Sequence, residues 1–240
     1  MGMPITLEVS HASVEDMEKI FDFFHAVDTR FSPFKIESEL SKINRGEIAP
    51  RQMSLEMQEI LALAEKTKKE TDGYFNIKKP SGEIDPSGVV KGWAIKKAAD
   101  TLKEMGFEHF YVDAGGDIQT SGRNHEEKSW SVGIKNPFQQ EEIVKVIYPE
   151  GKGVATSGSY IRGSHIYNPH SAEDALGEVL SITVIAEDVL EADRFATAAF
   201  AMGKKGITFI ETLPGFEGYA IDKHGMATMT SGFHRYTMSQ

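Results

Sequence analysis

The sequence predicts an α+β protein, in which helices and strands are mixed. Helix-like and strand-like segments follow one another without strict β-α-β alternation, which disfavours a doubly wound parallel sheet. Two short strand patterns near the end of the chain, 219–221 and 226–230, flank Lys223-His224-Gly225 and predict an antiparallel hairpin. No fixed-period repeat or low-complexity linker divides the 240 residues. We therefore expect one domain that covers residues 1–240.

Composition and charge exclude several classes of protein. The chain has no cysteine, so disulfides, thiol nucleophiles and thiolate metal sites are excluded. A formal net charge of −10 disfavours a nucleic-acid surface, which requires a basic stripe. No apolar run approaches the ~20 residues of a membrane span, and the first ten residues lack the pattern of a signal peptide. We expect a cytoplasmic protein with no nucleic-acid partner and no membrane span, unless an export signal was removed.

The first half of the chain is predicted to be mostly helical. Apolar and polar residues alternate over 5–9, which indicates a short strand. Ser13 and Asp16 then have the spacing of a capping box, and the helix behind them is predicted to end near Asp28. Further helices are predicted over 38–44, from Ser54 to Lys69, and over 90–105.

The second half is predicted to consist mainly of strands. Strand patterns cover 107–112, 118–121, 130–134, 143–148, 154–166 and 179–185. The second, third and fourth of these are expected to form an antiparallel meander. The last strand leads into a helix over 187–202 that ends at Gly203, where a C-cap glycine belongs. A short helix over 207–213 follows.

The helix over 187–202 carries the first candidate site. Asp193 and Thr197 are four residues apart, so their side chains lie one above the other on one face of the helix. A carboxylate with a nearby oxygen on a rigid element suits a hard cation such as Mg²⁺, and Mn²⁺ has the same ligand preference. The alternative is a first-turn acid favoured by the helix dipole together with a half-buried packing threonine.

A glycine-bearing segment over 85–93 leads into the helix that is predicted to begin at residue 90. Gly88 and Gly92 permit close backbone approach, and a helix N-terminus offers amides to a phosphate group, with Lys91 as an added charge. The spacing of a Walker A loop is absent. A structural capping turn explains the same residues, so this loop alone does not establish a phosphate site.

Three shorter motifs carry polar groups. The Gly-Gly pair of Asp113-Ala114-Gly115-Gly116-Asp117 indicates a tight turn, which also leaves room for a flat ring or a ribose. The hydroxyl-rich segment 155–160 is suited to phosphate oxygens, but no nucleophile elbow surrounds Ser157. His165 lies at a predicted strand end and is either a general base or a structural histidine.

Taken in order, these motifs resemble the ApbE family of FAD:protein FMN transferases. The resemblance covers nearly the whole chain. The segments that carry it are MGMP at 1–4, FSPFKIESELSKIN at 31–44, TDGYF at 71–75, IDPSGVVKGWAIKKAADTL at 84–102, DAGGDI at 113–118, ATSGSY at 155–160, HIYNP at 165–169 and ADRFATAAFAMG at 192–203.

The resemblance implies two similar, intertwined α+β halves with FAD and Mg²⁺ bound between them. It also implies an activity: the FAD pyrophosphate is cleaved, FMN is attached to a threonine or serine of an acceptor flavoprotein, and AMP is released. Two alternatives stay open at this point. One is an FAD pyrophosphatase that releases FMN and AMP, and the other is an FAD-binding protein without catalysis.

The resemblance also implies site residues, position by position. The cation ligands would be Asp193, Thr197 and the carbonyl of Gly88. The proton acceptor would be His165, with Asp193 as the second choice. The positions implied to contact FAD are Met1, Phe34, Tyr74, Phe75, Asn76, Asp85, Lys91, Ser157, His165 and Ile166.

The chain departs from the family pattern at several positions. The segment between Phe75 and Asp85 is compressed. Asn168 stands where an aspartate is usual, and Asp113 where an asparagine is usual. None of these departures removes an implied cation ligand or the implied base, and the changes near His165 leave the choice between transferase and pyrophosphatase open.

Overall fold

A seven-stranded antiparallel sheet forms the centre of the protein. The computed structural model describes residues 2–79, 81–139, 141–158, 170 and 178–238. The sheet has the order β1-β2-β3-β6-β7-β8-β9, so nearly every strand lies beside its neighbour in the chain. Its strands are β1 (Ile5–Val9), β2 (Phe110–Ala114), β3 (Asp117–Ser121), β6 (Gly153–Gly158), β7 (Val179–Ala186), β8 (Glu217–Asp222) and β9 (Ala227–Met229). The predicted α+β class and the closing hairpin are confirmed.

Two strands lie outside this sheet. β4 (Val132–Lys135) and β5 (Ile143–Ile147) pair with each other as a separate two-stranded sheet. The predicted meander is therefore wrong, because β3 pairs with β6 instead of β4. The strand patterns were correct, but β4 alternates buried and exposed residues whereas β3 is buried at four of its five positions. Neither pattern reveals which strand will be the partner.

Six helices cover the sheet in the described part of the chain. They are α1 (Val14–Phe31), α2 (Glu39–Asn44), α3 (Leu55–Glu70), α4 (Ser87–Glu104), α5 (Val189–Ala201) and α6 (Lys205–Glu211). Short 3-10 turns occupy Pro50–Gln52 and Phe233–Tyr236. The capping box at Ser13 is present, with the Asp16 amide donating to Ser13 Oγ at 3.2 Å. Within these residues, no helix is both long and apolar enough to cross a membrane.

Helix α4 begins three residues earlier than predicted. The amides of Val89 and Val90 both donate to the carbonyl of Pro86 at 3.0 Å, which starts the helix at Ser87. Gly88 and Gly92 were taken as loop residues because glycine disfavours helices. Tertiary packing overrides that preference, and both glycines lie within the first two turns of α4.

Buried side chains form a core on each face of the sheet. One layer packs α1, α3 and α4 against β1 and β2, with Phe24, Trp93 and Phe110 among its large members. A second packs α5 and α6 against β6, β7 and β8. On the opposite face, β4 and β5 cover the sheet through Ile134 and Ile147. The two helical layers meet where α4 contacts α5, and the candidate site lies at this junction.

Candidate functional site

The α4–α5 junction brings two pairs of residues face to face. Gly88 and Gly92 lie on α4, and Asp193 and Thr197 lie on α5, each pair with the four-residue spacing of one helix face. A Cβ added at Gly92 would lie 2.8 Å from Asp193 Cβ and 2.9 Å from the carbonyl oxygen of Val189. Glycine is therefore required at position 92, because any side chain would push the two helices apart.

Asp193 is buried and contacts α4 directly. It is 3% exposed, and its Oδ2 accepts a hydrogen bond of 2.8 Å from the amide of Gly92. In a regular α-helix that amide donates to the carbonyl of Gly88. Asp193 Oδ2 therefore competes with the Gly88 carbonyl oxygen for the amide of Gly92. This competition leaves the Gly88 carbonyl better able to bind another electrophile.

Thr197 lies beside the other glycine of α4. A Cβ at Gly88 would be 3.4 Å from Thr197 Oγ1 and 3.3 Å from Phe75 Cε2. Phe75 is buried, so it packs under this turn of α4. The structure thus brings together the three implied cation ligands, which are the Asp193 carboxylate, the Thr197 hydroxyl and the Gly88 carbonyl.

Lys91 and Asp117 complete a buried charged cluster with Asp193. Lys91 Nζ lies 2.5 Å from Asp117 Oδ2 and 3.7 Å from Asp193 Oδ1. Asp117 is 1% exposed, and its Oδ1 accepts a hydrogen bond of 3.1 Å from the amide of Thr156. The Lys91 contact lacks the alignment of a hydrogen bond, so the attraction there is mainly between charges.

This cluster places two carboxylates beside one ammonium group. Burial raises the pKa of Asp193 to about 8, the Lys91 ammonium opposes that rise, and the Asp117 carboxylate adds to it. The cluster therefore has one positively charged group for two acidic side chains. A divalent cation would relieve the repulsion between them.

The residues present fit a hard cation. Within the described residues no group of three His, Cys, Asp or Glu side chains could hold a metal ion. A cation at the junction would therefore be held by one carboxylate, one hydroxyl and one carbonyl, all hard oxygen ligands of the kind Mg²⁺ takes. The narrow space kept open by the glycines supports the same assignment.

Among the residues that the structure describes, two cavities open beside the cluster. The small cavity, of about 180 Å³, is lined by Met3, Phe34, Asp85, Ser87 and Lys91 among others. Phe34 is 95% exposed, which is unusual for so large an apolar side chain. Burial acts against ionisation of Asp85, but hydrogen bonds with Lys79 and Ser87 outweigh it and lower its pKa. This cavity thus combines an exposed aromatic ring, a carboxylate and the Lys91 ammonium.

The large cavity, of about 580 Å³, lies on the other side of Met3, which lines both. Its further lining includes Tyr111, Asp113, Gly116, Lys135, Ile143 and Thr156. The amide of Gly116 donates to Asp113 Oδ1 at 2.7 Å, and burial raises the pKa of this carboxyl. Thr156 connects this cavity to the charged cluster, because its amide holds Asp117.

The remaining FAD-contacting positions lie at different distances from the cavities. Tyr74 packs on the His170 ring with 4.6 Å between centroids, and Asn76 Oδ1 caps the amide of Lys78 at 3.1 Å. Ser157 is buried on β6 and, by strand alternation, shares its face with Ala155, which packs in the core of α5. Neither cavity has Tyr74, Asn76 or Ser157 in its described lining. Met1, His165 and Ile166 lie outside the described residues.

Sequence reasoning missed two residues of the site. Asp117 was seen only as the end of a Gly-Gly turn, and Thr156 only as part of a hydroxyl-rich segment. The available signal was a carboxylate placed directly after a tight turn and at the start of a strand, where its side chain has a fixed direction. The burial of Lys91 requires an acidic partner, because a buried ammonium is unfavourable without one, but this burial is visible only in the structure.

The fold and this site define an α+β protein in which a buried charged cluster at a helix junction lies beside two cavities, with Lys91 lining one and Thr156 the other. The family model for the ApbE family matches residues 1–80 and 76–220, so the chain belongs to the ApbE family. The expected family and fold are thereby confirmed.

Relatives with assigned names and solved structures agree with this membership. An FAD:protein FMN transferase of Vibrio cholerae is 30% identical over 162 residues, which cover 59% of this chain and 48% of that protein. A protein of the same name from Escherichia coli K12 is 30% identical over 161 residues, covering 63% of this chain and 46% of that protein. The chain thus spans about half the length of these relatives.

The solved structures show the shared fold over the whole chain. The flavin transferase ApbE from Vibrio cholerae has a TM-score of 0.86 and 22% identity, covering 98% of this chain and 96% of that chain. An ApbE protein from Thermotoga maritima has a TM-score of 0.83 and 22% identity, with the same coverage.

Proposed function

We propose that this chain is an FAD:protein FMN transferase that uses Mg²⁺. The observation that carries the proposal is the buried cluster of Asp193, Lys91 and Asp117, which lies between two cavities in a chain of the ApbE family. The names of its relatives support the same activity. The donor would be FAD, and the partner would be a flavoprotein that presents a threonine or serine hydroxyl.

The reaction is a phosphoryl-type transfer. The acceptor hydroxyl oxygen forms a bond to the FMN phosphorus, the bond from that phosphorus to the bridging oxygen breaks, and AMP leaves with that oxygen. Such reactions depend mainly on positioning and on neutralising charge. Mg²⁺, held by Asp193, Thr197 and the Gly88 carbonyl, would supply much of this neutralisation when bound.

Residues of the chain supply the other parts of the reaction. Lys91 lines the small cavity and adds a positive charge for the diphosphate. Phe34 offers an exposed face to an aromatic ring. His165 stays the predicted acceptor of the hydroxyl proton. The single domain over 1–240 is also part of this proposal, supported by the continuous seven-stranded sheet. The cytoplasmic location stays a prediction.

The decisive experiment follows AMP and FMN by chromatography. The protein is incubated with FAD and Mg²⁺, with and without a threonine-bearing segment of a candidate flavoprotein. AMP that appears only with the acceptor, together with covalent flavin fluorescence on it, is the expected result. AMP and free FMN without an acceptor would identify a pyrophosphatase, and intact FAD with every acceptor and cation would contradict catalysis.

Two variants of α5 test the cation ligand. We expect Asp193→Asn to lower turnover at least about a hundredfold, because the loss of cation binding removes several kcal/mol of transition-state stabilisation. The matched control is Asp188→Asn, because Asp188 caps the same helix through the amide of Glu191 and asparagine caps equally well. Equal activities of the two variants would contradict the assignment of Asp193.

A further inference from the structure

Asp117 is the residue of the charged cluster that the family resemblance left without a role. It is buried at the start of β3, directly after the Gly115-Gly116 turn. Its position is fixed from two sides, since its backbone pairs with Ala114 and its Oδ1 accepts the amide of Thr156 at 3.1 Å. Asp117 is therefore a rigid acceptor.

Lys91 is the member of the cluster that can pair with either carboxylate. A lysine ammonium is a compact charge on a flexible stem, so it pairs with whichever carboxylate holds it best. It lies 2.5 Å from Asp117 Oδ2 but 3.7 Å from Asp193 Oδ1. The nearer carboxylate is thus Asp117, and Asp193 Oδ1 is left with a weaker contact.

We propose that Asp117 is a positioning residue that keeps the Lys91 ammonium away from Asp193. This inference rests on the proposed function, because it takes Asp193 as the cation ligand. With Lys91 held by Asp117, Asp193 Oδ1 stays available to a divalent cation, and ammonium and cation are accommodated side by side. Two carboxylates then balance the two cationic groups that a diphosphate requires.

The charges predict what removal of Asp117 does. Without the Asp117 carboxylate, the acid of the cluster that remains beside Lys91 is Asp193. The ammonium then pairs with Asp193 and competes directly with the cation for the same oxygen. The loss of cation affinity is therefore caused by Lys91, and removal of Lys91 should reverse it.

The test measures Mn²⁺ binding without FAD. Free Mn²⁺ is followed by electron paramagnetic resonance during titration of the purified full chain, so no turnover is required. We expect Asp117→Asn to weaken Mn²⁺ binding by roughly tenfold, a typical coupling between contacting residues. The double variant Lys91→Met/Asp117→Asn should recover affinity to within about threefold of the unchanged protein.

Asp188→Asn is the matched control, because it also removes one carboxylate that faces a lysine of α4, but that lysine is Lys96, 3.9 Å away, rather than Lys91. It should change Mn²⁺ affinity by less than about threefold. If Asp117→Asn does not fold, Lys91→Met serves instead and should bind Mn²⁺ at least as tightly as the unchanged protein, since it removes the competing ammonium.

The outcomes separate this inference from the proposed function. Recovery in the double variant supports the positioning role, even if the same protein releases no AMP from FAD and the transferase proposal fails. A merely structural role predicts that the double variant binds Mn²⁺ as weakly as Asp117→Asn. That result would overturn the inference. So would unchanged Mn²⁺ binding by Asp117→Asn, weaker Mn²⁺ binding by Lys91→Met, or no Mn²⁺ binding by the unchanged protein.

Discussion

The α4–α5 junction and the two cavities beside it are built in opposite ways. At the junction, Asp193 is 3% exposed and its partners come from the protein itself. In the small cavity, Phe34 is 95% exposed and projects from a loop. We propose that residues of the junction contribute to both folding and ligand binding, whereas Phe34 contributes to binding alone. Changes at the junction should affect stability and activity together, and changes in the cavity should separate them.

The largest effect is expected from a substitution that disrupts the α4–α5 junction. Gly92→Ala places a Cβ 2.8 Å from Asp193 Cβ, so the helices must separate. Overpacking of this kind costs about 1–3 kcal/mol of unfolding free energy, and displacement of a reacting group lowers turnover about a hundredfold. Urea unfolding and AMP release measure the two effects.

Gly88→Ala is a milder substitution at the same junction, to be compared with Gly92→Ala. Its Cβ would meet side-chain atoms of Thr197 and Phe75 at 3.2–3.4 Å, which shift more easily than backbone. Its stability loss should be smaller than that of Gly92→Ala. A larger loss for Gly88→Ala would contradict the view that backbone contact at residue 92 sets the helix separation.

A second prediction concerns pH and the cation-free protein. The pKa of Asp193 is raised from 3.8 to about 8, mainly by burial. Between these values the folded state keeps a proton that the unfolded state releases, so this carboxyl makes unfolding free energy fall as pH rises. The slope from one such group is at most about 1.4 kcal/mol per pH unit. Urea unfolding in chelator at pH 5 to 8 measures it.

The variants Asp193→Asn and Asp188→Asn together isolate the contribution of Asp193 to the pH dependence of the unfolding free energy. Asp193→Asn should flatten the pH dependence, because its amide does not titrate. Asp188→Asn should keep the slope of the unchanged protein, since asparagine keeps the helix cap and the charge it removes faces Lys96 instead of Asp193. Parallel curves for all three proteins would show that Asp193 does not carry the effect.

The smallest expected effect belongs to the small cavity. Phe34→Ala should weaken FAD binding about tenfold, the order expected from loss of an aromatic contact, and leave the unfolding free energy unchanged because the ring is exposed. Fluorescence titration with FAD and urea unfolding give both values. Phe138→Ala is the control, since Phe138 is also exposed but lines neither cavity. Equal FAD affinities in the two variants would exclude a role for Phe34.

Much of the fold and two of the three residues of the charged cluster were predictable from the sequence. The spacing of Asp193 and Thr197 identified their shared helix face, because helical periodicity is a local property. The contact of Asp193 with Gly92 joins residues 101 positions apart, and no local pattern encodes it. Asp117 was missed for the same reason, since its partner Lys91 lies on another element. The role of His165 stays a prediction.

The order of the strands has a consequence for how the protein folds. β2 and β3 are joined by Gly115-Gly116, and β8 and β9 by four residues, so these two hairpins can form by closing short loops. The pairing of β1 with β2 and the Gly92–Asp193 contact each close a loop of about a hundred residues, whose entropic cost is greater. We therefore expect the two hairpins to form first and the long-range contacts to consolidate later. The candidate site would then mature only after the local parts of its scaffold, and a ligand that binds there would act late in folding.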